Sequence, residues 1–524
     1  MNLNPNFLAA PVALPLIFAA LMLSISRWGR YSSLRLQQWL TGIALSGNLI
    51  VALLLLAYTL TGKRLVLQMG AWPAPYGITV LADTLSALML TIGSILALCI
   101  LPFAVATLDL HRERLGFYPL MLILMMGVNG VLLAGDLFNI YVFIEVLLMA
   151  SFVLMTLGGT PSQINGGIRY VILNLLASML LLTAAGVAYG SLGTLNLAQM
   201  AQRMDLAPDS IRWVLAGLMF IAFGSKAAIF PLFFWLPASY HTPHPAVTAL
   251  FGGLLTKVGV YTLFRIFPLL YPTLLVTWRP MFFVIAGLTM TIGVLGAFAQ
   301  PTIRRLLSFH IISQVGYMIM GLGLATADSR FGAGFALAAA ILFMVHNMLV
   351  KTALMMGGGA VELEMGSGNL SAIGGLARRY PWLATIFFIA AFSLAGIPPS
   401  SGFGGKLSLL QVTFDTHHFT IAGVSIFVSL LTTMSMIRIW QYSFWGKYPG
   451  SRATAPPLEN SRRRRMILAP MTVLVALSLL MGIFFGPSLR LASVAARQAL
   501  DRDGYIQAVA PQKLVAQPEQ TAAR

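Results

Sequence analysis

Residues 225–265 read SKAAIFPLFFWLPASYHTPHPAVTALFGGLLTKVGVYTLFR. The stretch is apolar enough for a bilayer interior, yet it carries Lys226, Lys257 and Arg265. Pro231 and Pro237 interrupt its first half. Proline removes a backbone donor and clashes with the preceding turn. Backbone freed in this way is tolerated at membrane depth only where protein or a water-filled cavity satisfies it. The reading is therefore a broken span near 212–236 followed by a continuous one near 246–270. Lys257 lies eleven residues past Ala246, roughly 16 Å into its span at about 1.5 Å per residue. Lys226 lies fourteen residues past Arg212 and is also deep.

The rest of the chain has the same character. Its 524 residues are 58% hydrophobic and 9% charged, with a mean hydropathy of +0.84. Soluble domains are about 25% charged. This balance excludes a cytosolic enzyme, a disordered chain and a secreted disulfide scaffold, and Cys99 stands alone. A span needs about 20 mostly apolar residues. Such runs number about 14: near 7–26, 36–60, 78–106, 116–134, 137–157, 168–190, 212–236, 246–270, 276–298, 303–325, 334–357, 382–413, 420–445 and 466–486. The first has no Lys or Arg before it, so it reads as a retained span and not a signal peptide. The twelfth holds GIPPSSGFGG and reads as a second broken helix.

The net charge of +18 is mostly topology. With the N-terminus outside, the inner connections carry sixteen Lys and Arg, from Arg27, Arg30 and Arg35 to the run Arg462–Arg465. The outer ones carry Lys63, Arg64, Arg203, Arg212, Arg279 and Arg330. The positive-inside rule then places both termini outside, and the basic excess needs no nucleic acid to explain it. Residues 487–524 read as a polar, disordered external end.

Six basic residues remain within spans. Arg265 and Arg438 lie toward span ends and are expected to snorkel. Lys226, Lys257, Lys351 and Lys406 lie deeper, and Glu145 is the one acid clearly at depth. A charge at a helix centre costs about 2.5–3.5 kcal/mol, so five cost on the order of 12–18 kcal/mol. Interhelical ion pairs are the simplest alternative, but one carboxylate cannot pair with four lysines. A buried amine that exchanges between charged and neutral forms is a proton carrier. His310 and His346 sit within spans, and His346 shares its span with Lys351. His241 and His244 lie in a short loop, and His417 and His418 in a solvated one. The prolines 398 and 399 precede Lys406 as Pro231 and Pro237 follow Lys226. Either pair could be a simple kink, but paired breaks beside buried charges are a transporter pattern.

Five segments, in order, carry a family resemblance: GDLFNIYVFIEVLLMASFVLMTLGG, the stretch 225–265, RRLLSFHIISQVGYMIMG, VHNMLVKTALMMGGGAVE and SLAGIPPSSGFGGKLSLL. They resemble the antiporter-like membrane subunits of Mrp-type cation/proton antiporters, respiratory complex I and membrane-bound hydrogenases. Within that family the chain is most similar to the D-type subunits of Mrp-type Na+(K+)/H+ antiporters. The resemblance implies an all-α polytopic fold of about 14 spans with two inverted five-helix repeats, spans 4–8 and 9–13, each with a broken helix. The division would be 1–115, a first repeat at 116–270, a second at 276–445, a basic loop and last span at 446–486, and the tail 487–524. It also implies that Glu145 pairs with Lys226, that Lys257 is the central lysine, and that Lys351 and Lys406 hold the basic positions of spans 11 and 12. Relatives often have histidine where this chain has Asn347, and His346 is one place earlier.

The implied function is proton translocation along Glu145, Lys226, Lys257, Lys351 or His346, and Lys406 in exchange for Na+ or K+. It would occur in a bacterial cell membrane, within lipid and beside other membrane subunits. The alternative is a proton-pumping subunit of a complex I-like NADH dehydrogenase or a membrane-bound hydrogenase. One relative in complex I has glutamate where Lys406 stands, which argues against that relative. No cofactor is expected: one cysteine cannot ligate an iron–sulfur cluster, and no GxGxxG or Walker motif occurs. A membrane-embedded glycosyl transferase is disfavoured because Asp83, Asp109, Glu113 and Asp136 are scattered along the chain. The cation's route is open, with Asp83 and Asp136 as possible oxygen ligands.

The orientation is directly testable. In a Cys99→Ser background, Lys447→Cys is expected to react with an impermeant maleimide in everted vesicles only, and Lys63→Cys in intact cells only. The reverse pattern at both would invert the chain.

Overall fold

The apolar runs form helices, and polar side chains close the first turn of several of them. Asp83 accepts the Ser86 amide while Ser86 Oγ accepts the Asp83 amide, and Thr160 and Gln163 form the same reciprocal cap. Asp136 accepts the Asn139 amide at 2.7 Å. The computed structural model describes residues 3–26, 33–327, 329–332, 334–454 and 456–510. Its elements in order are α1 (Ala10–Ser26), α2 (Ser33–Thr59), β1 (Leu65–Gln68), β2 (Thr79–Ala82), α3 (Thr84–Thr107), α4 (Leu110–Arg114), α5 (Phe117–Leu133) and α6 (Leu137–Thr156). There follow α7 (Pro161–Leu192), α8 (Leu197–Met204), α9 (Asp209–Ala227), α10 (Trp235–Ser239), α11 (Pro245–Leu270), α12 (Pro272–Thr277), α13 (Arg279–Phe298) and α14 (Ile303–Gly323). The last are α15 (Phe335–Met365), α16 (Leu376–Arg379), α17 (Pro381–Ala395), α18 (Ser401–Asp415), α19 (Phe419–Phe444), α20 (Ser461–Ile483), α21 (Phe485–Leu500) and α22 (Arg502–Val509).

Among the described residues, twelve helices are long and apolar enough to cross a membrane. The expected fourteen included two more, at 116–134 and 382–413. There the apolar helices α5 and α17 have 17 and 15 residues. The helices are not equivalent. The apolar windows of α11 and α15 are buried throughout and that of α14 nearly so, whereas α1, α2, α13, α19 and α20 bury less than half of theirs. The three enclosed helices pack on one another, α11 on α15 and α14 on both. Side chains on them meet protein and not lipid, which is where intramembrane polar groups are tolerated.

Both expected breaks are present. Helix α9 ends at Ala227 and α10 begins at Trp235; α17 ends at Ala395 and α18 begins at Ser401. Each gap contains a cis X–Pro peptide, Phe230–Pro231 and Pro398–Pro399.

Three expectations need correction. The span expected at 78–106 starts later, because residues 79–82 pair antiparallel with 65–68 in a small hairpin. Thr79 holds it: its hydroxyl bonds Gln68 Oε1 and receives Asn196 Nδ2, and its carbonyl receives the Gly135 amide. Arg265 does not snorkel. It is buried and makes a two-pronged ion pair with the fully buried Asp83 at 2.5 and 2.7 Å, beside the rings of Tyr261 and Tyr505. Nothing in the sequence near Asp83, the α3 cap, marks it as that partner. Finally, the tail is ordered helix as far as Val509. It supplies partners for open helix ends: Gln498 accepts the Thr84 amide and donates to Thr59 O, and Arg502 donates to Leu269 O. Residues 511–524 lie outside the described residues, as do Arg27 and Arg30 from the charge count.

Removing one member of a buried ion pair strands the other charge at about 3–5 kcal/mol. Asp83→Asn is therefore expected to lower thermal stability and yield in detergent, and Asp83→Asn/Arg265→Gln to recover much of the loss. A single variant as stable as the parent would show the pair to be dispensable.

Candidate functional site

The four lysines expected at depth are all buried: Lys226 is 7% exposed, Lys257 1%, Lys351 0% and Lys406 5%. The helices that carry them pack in series, α9 on α11, α11 on α15 and α15 on α18. Among the described residues none of the four has a carboxylate within ion-pair distance.

An ammonium has three N–H donors and no acceptor, so its surroundings can be graded by the oxygens it reaches. Lys226, in the last turn of α9, donates to Asn174 O at 2.8 Å and Ser178 Oγ at 3.0 Å, both on α7. Among the described residues Lys257 donates only to Gly252 O of its own helix, at 2.8 Å. Lys351 Nζ has no hydrogen-bond partner among the described residues. Lys406 reaches three oxygens, Leu394 O at 3.1 Å, Ala395 O at 2.9 Å and Ser429 Oγ at 3.0 Å, and lies 5.3 Å from the centre of the Tyr317 ring. Its two carbonyls are at the end of α17, where helix carbonyls lack intrahelical partners and carry partial negative charge. Along the series the acceptors thus number two, one, none and three among the described residues.

Glu145 projects from α6, half-buried, with Oε1 enclosed and unpartnered. Its charge acts on Lys226, but the two are not in contact; the expected pair is open in this structure. The serine and carbonyl of α7 take the place the carboxylate was expected to fill.

His346 is fully buried on α15. Its Nδ1 lies 2.8 Å from Ser401 Oγ, which lies 2.8 Å from Ser478 Oγ, which lies 3.0 Å from Ser393 Oγ. These hydroxyls come from α18, α20 and α17, so a chain of three serines ties the imidazole to both sides of the second break. Close approach requires glycine at two points. A Cβ on Gly402 would overlap Ser393 O and meet the His346 ring at 2.8 Å, and one on Gly482 would overlap the Pro399 and Ser400 backbone. His346 Nε2 is unpartnered.

His310, which the sequence places in a span without assigning it a role, is fully buried on α14. Its Nε2 is 2.8 Å from Ser435 Oγ and its Nδ1 is unpartnered, within electrostatic reach of Lys351 and Lys406. Gln314, one turn along, leaves both amide atoms unpartnered, as Asn347 Oδ1 and Thr256 Oγ1 are. Buried polar atoms are nearly always satisfied, by protein or by ordered water. His310 and Gln314 are findable in the sequence as a polar i, i+4 pair in an apolar span; the serines, drawn from three separate segments, are not.

Of the loop histidines, one has a clear structural role. His244 caps α11, accepting the Ala246 amide and bonding Thr107 O, and burial with Arg112 and Arg304 nearby pushes it down to about 3. Burial, with Arg305 and Arg304 nearby, pushes His241 down to about 4. Both stay neutral at neutral pH. His417 is exposed, and His418 packs edge-on against Phe283. Asp83 and Asp136, possible cation ligands by residue type, are engaged by Arg265 and by the α6 cap with Asn139. Among the described residues no three His, Cys, Asp or Glu side chains gather as metal ligands.

The chain is similar to proteins of known family. Residues 134–432 match the family described as NADH:quinone oxidoreductase/Mrp antiporter, transmembrane region. A relative from Alkalihalophilus pseudofirmus, named as the D-type subunit of a Na(+)/H(+) antiporter, is 39% identical over 96% of this chain and 99% of its own. A chain of the Mrp complex from Dietzia sp. superposes with a TM-score of 0.88 at 33% identity, covering 97% of this chain and all of that one. A chain of an archaeal membrane-bound sulfane sulfur reductase superposes at 0.86 with 22% identity over 96% and 99%, a likeness of fold alone. With more than half of its length matched by the family model and nearly all of it aligned to a named relative, the chain belongs to the NADH:quinone oxidoreductase/Mrp antiporter transmembrane family.

Proposed function

We propose that this chain is the D-type subunit of a multisubunit antiporter that exchanges Na+ or K+ for protons across a bacterial cell membrane. It is a transporter component with no reaction chemistry of its own, assembled with other membrane subunits. The full-length similarity to a D-type Na(+)/H(+) antiporter subunit and to a chain of the Mrp complex supports the class. The observation that carries the mechanism is the graded set of acceptors around the four lysines. Lys226 and Lys406, beside the two breaks, are solvated by protein oxygens; Lys257 and Lys351, on the enclosed helices, are nearly bare.

Such a row gives a proton two resting places separated by a higher-energy middle. A charge held in low dielectric is stabilised only by nearby dipoles and counter-charge. When Glu145 approaches Lys226 it strengthens the ammonium there; when the pair opens, the proton is released toward Lys257. Transfer past Lys351 has two candidate bridges to Lys406, His346 and His310, whose unpartnered nitrogens and neighbouring amides are groups that water can link. The serine chain holds His346 in place at the second break. We read α5–α11 and α13–α19 as the two inverted units and the termini as external.

Glu145→Gln, Lys226→Ala and Lys406→Ala are each expected to abolish cation-driven pH change in everted vesicles while the complex still co-purifies. Normal exchange by a well-assembled Lys226→Ala complex would overturn the relay. Ser478→Ala is expected to slow exchange severalfold and Ser478→Cys, a weaker donor of similar size, to fall between it and the parent. Parental rates in Ser478→Ala would remove the serine chain from the pathway.

A further inference from the structure

Helices α17 and α20 leave a groove of about 730 Å³ between them on the protein's outer surface. Its mouth holds Arg379, Arg464 and Arg465, and its wall holds Trp382, Leu468 and Thr472. From this geometry we infer that the groove binds an anionic phospholipid, with the headgroup phosphate on the arginines and an acyl chain along the apolar floor.

Charge is the first argument. Arg464 and Arg465 are exposed near the start of α20, the fourth and fifth residues of the helix, and neither has an ion pair among the described residues. Cations near a helix start oppose the helix dipole and repel one another. Arg379 is ion-paired with Glu459 at 2.7 Å, so among the described residues one of the three guanidiniums has a carboxylate and two have none. A phosphate offsets this excess and suits the planar fork of arginine.

Shape is the second argument. The floor continues from Arg465 to Ala476, eleven residues along α20, or roughly 16 Å. That is about half of a hydrocarbon core roughly 30 Å thick, the reach of one leaflet. The floor faces outward, with Val473 48% exposed. Trp382, 55% exposed, stands beside the arginines as an interfacial tryptophan does, and its Nε1 donates to Thr472 Oγ1 at 3.2 Å across the groove. Basic pockets between membrane helices recognise anionic headgroups by this combination.

The test uses the assembled complex in nanodiscs of phosphatidylcholine containing a small share of diazirine-bearing phosphatidylglycerol. Photolabelling is expected within residues 466–476. In Arg464→Gln/Arg465→Gln it is expected to fall about tenfold or more, as when two charge-assisted contacts to phosphate are lost. Arg462→Gln/Arg463→Gln, which removes the same charge outside the groove, is expected to label like the parent. Val473→Trp, which fills the floor but keeps the arginines, is expected to lose the label. Equal labelling by diazirine-bearing phosphatidylcholine, equal loss in both arginine pairs, or cross-linking of this segment to another subunit in place of lipid would each overturn the site. The readout is independent of ion exchange, so it stands or falls apart from the transport reading.

Discussion

The four buried lysines are set apart by one constraint: an ammonium group taken out of water is stabilised by the oxygens that its N–H donors can reach. Lys406 finds them by standing at the end of α17, which is possible only because that helix stops at Ala395. Lys226 finds them on α7, at Asn174 and Ser178. The second break is therefore part of how Lys406 is solvated, because it exposes carbonyls, whereas the first ends α9 one residue past a lysine whose acceptors lie on α7. Helices α11, α14 and α15 perform the opposite service. Enclosed by the rest of the protein, they keep lipid from Lys257, Lys351 and the histidines while offering few acceptors. The difference between the ends and the middle of the row makes the lysines unequal, which is the basis of the proposed relay.

Much of this is legible in the amino-acid sequence. Twelve of the fourteen expected spans, both breaks and the burial of the four lysines follow from apolar run length, proline positions and simple rise arithmetic. Sequence reasoning fails where a residue's partner is distant in the chain. Arg265 stands near a span end, which suggests the interface, because nothing local announces that Asp83, 182 residues earlier, lies against it. A closed Glu145–Lys226 pair is the natural expectation, since opposite charges in apolar surroundings attract. The structure has it open, with neutral oxygens of α7 serving the amine instead. The serine chain to His346 draws on α17, α18 and α20, and serine in a membrane span is too common to signal a site.

The charge run Arg462–Arg465 shows how one feature can hold two kinds of information. Counted with the other loops it enters the charge balance from which an orientation is expected. Taken residue by residue, only Arg464 and Arg465 turn toward the groove beside α17. Composition cannot make that distinction, because it depends on which face of a helix each side chain occupies.

The C-terminal helices have a consequence for biosynthesis. Gln498 completes the backbone of Thr84 and Thr59, and Arg64 is held by Gln498 and Asp501, 434 and 437 residues away along the chain. A nascent chain inserted span by span thus lacks these partners for the ends of α2 and α3 until the segment that carries Gln498 has been made. Residues far along the chain thus close polar groups on helices near its start, so a chain stopped before Gln498 would leave the Thr84 amide and the Thr59 carbonyl without that partner.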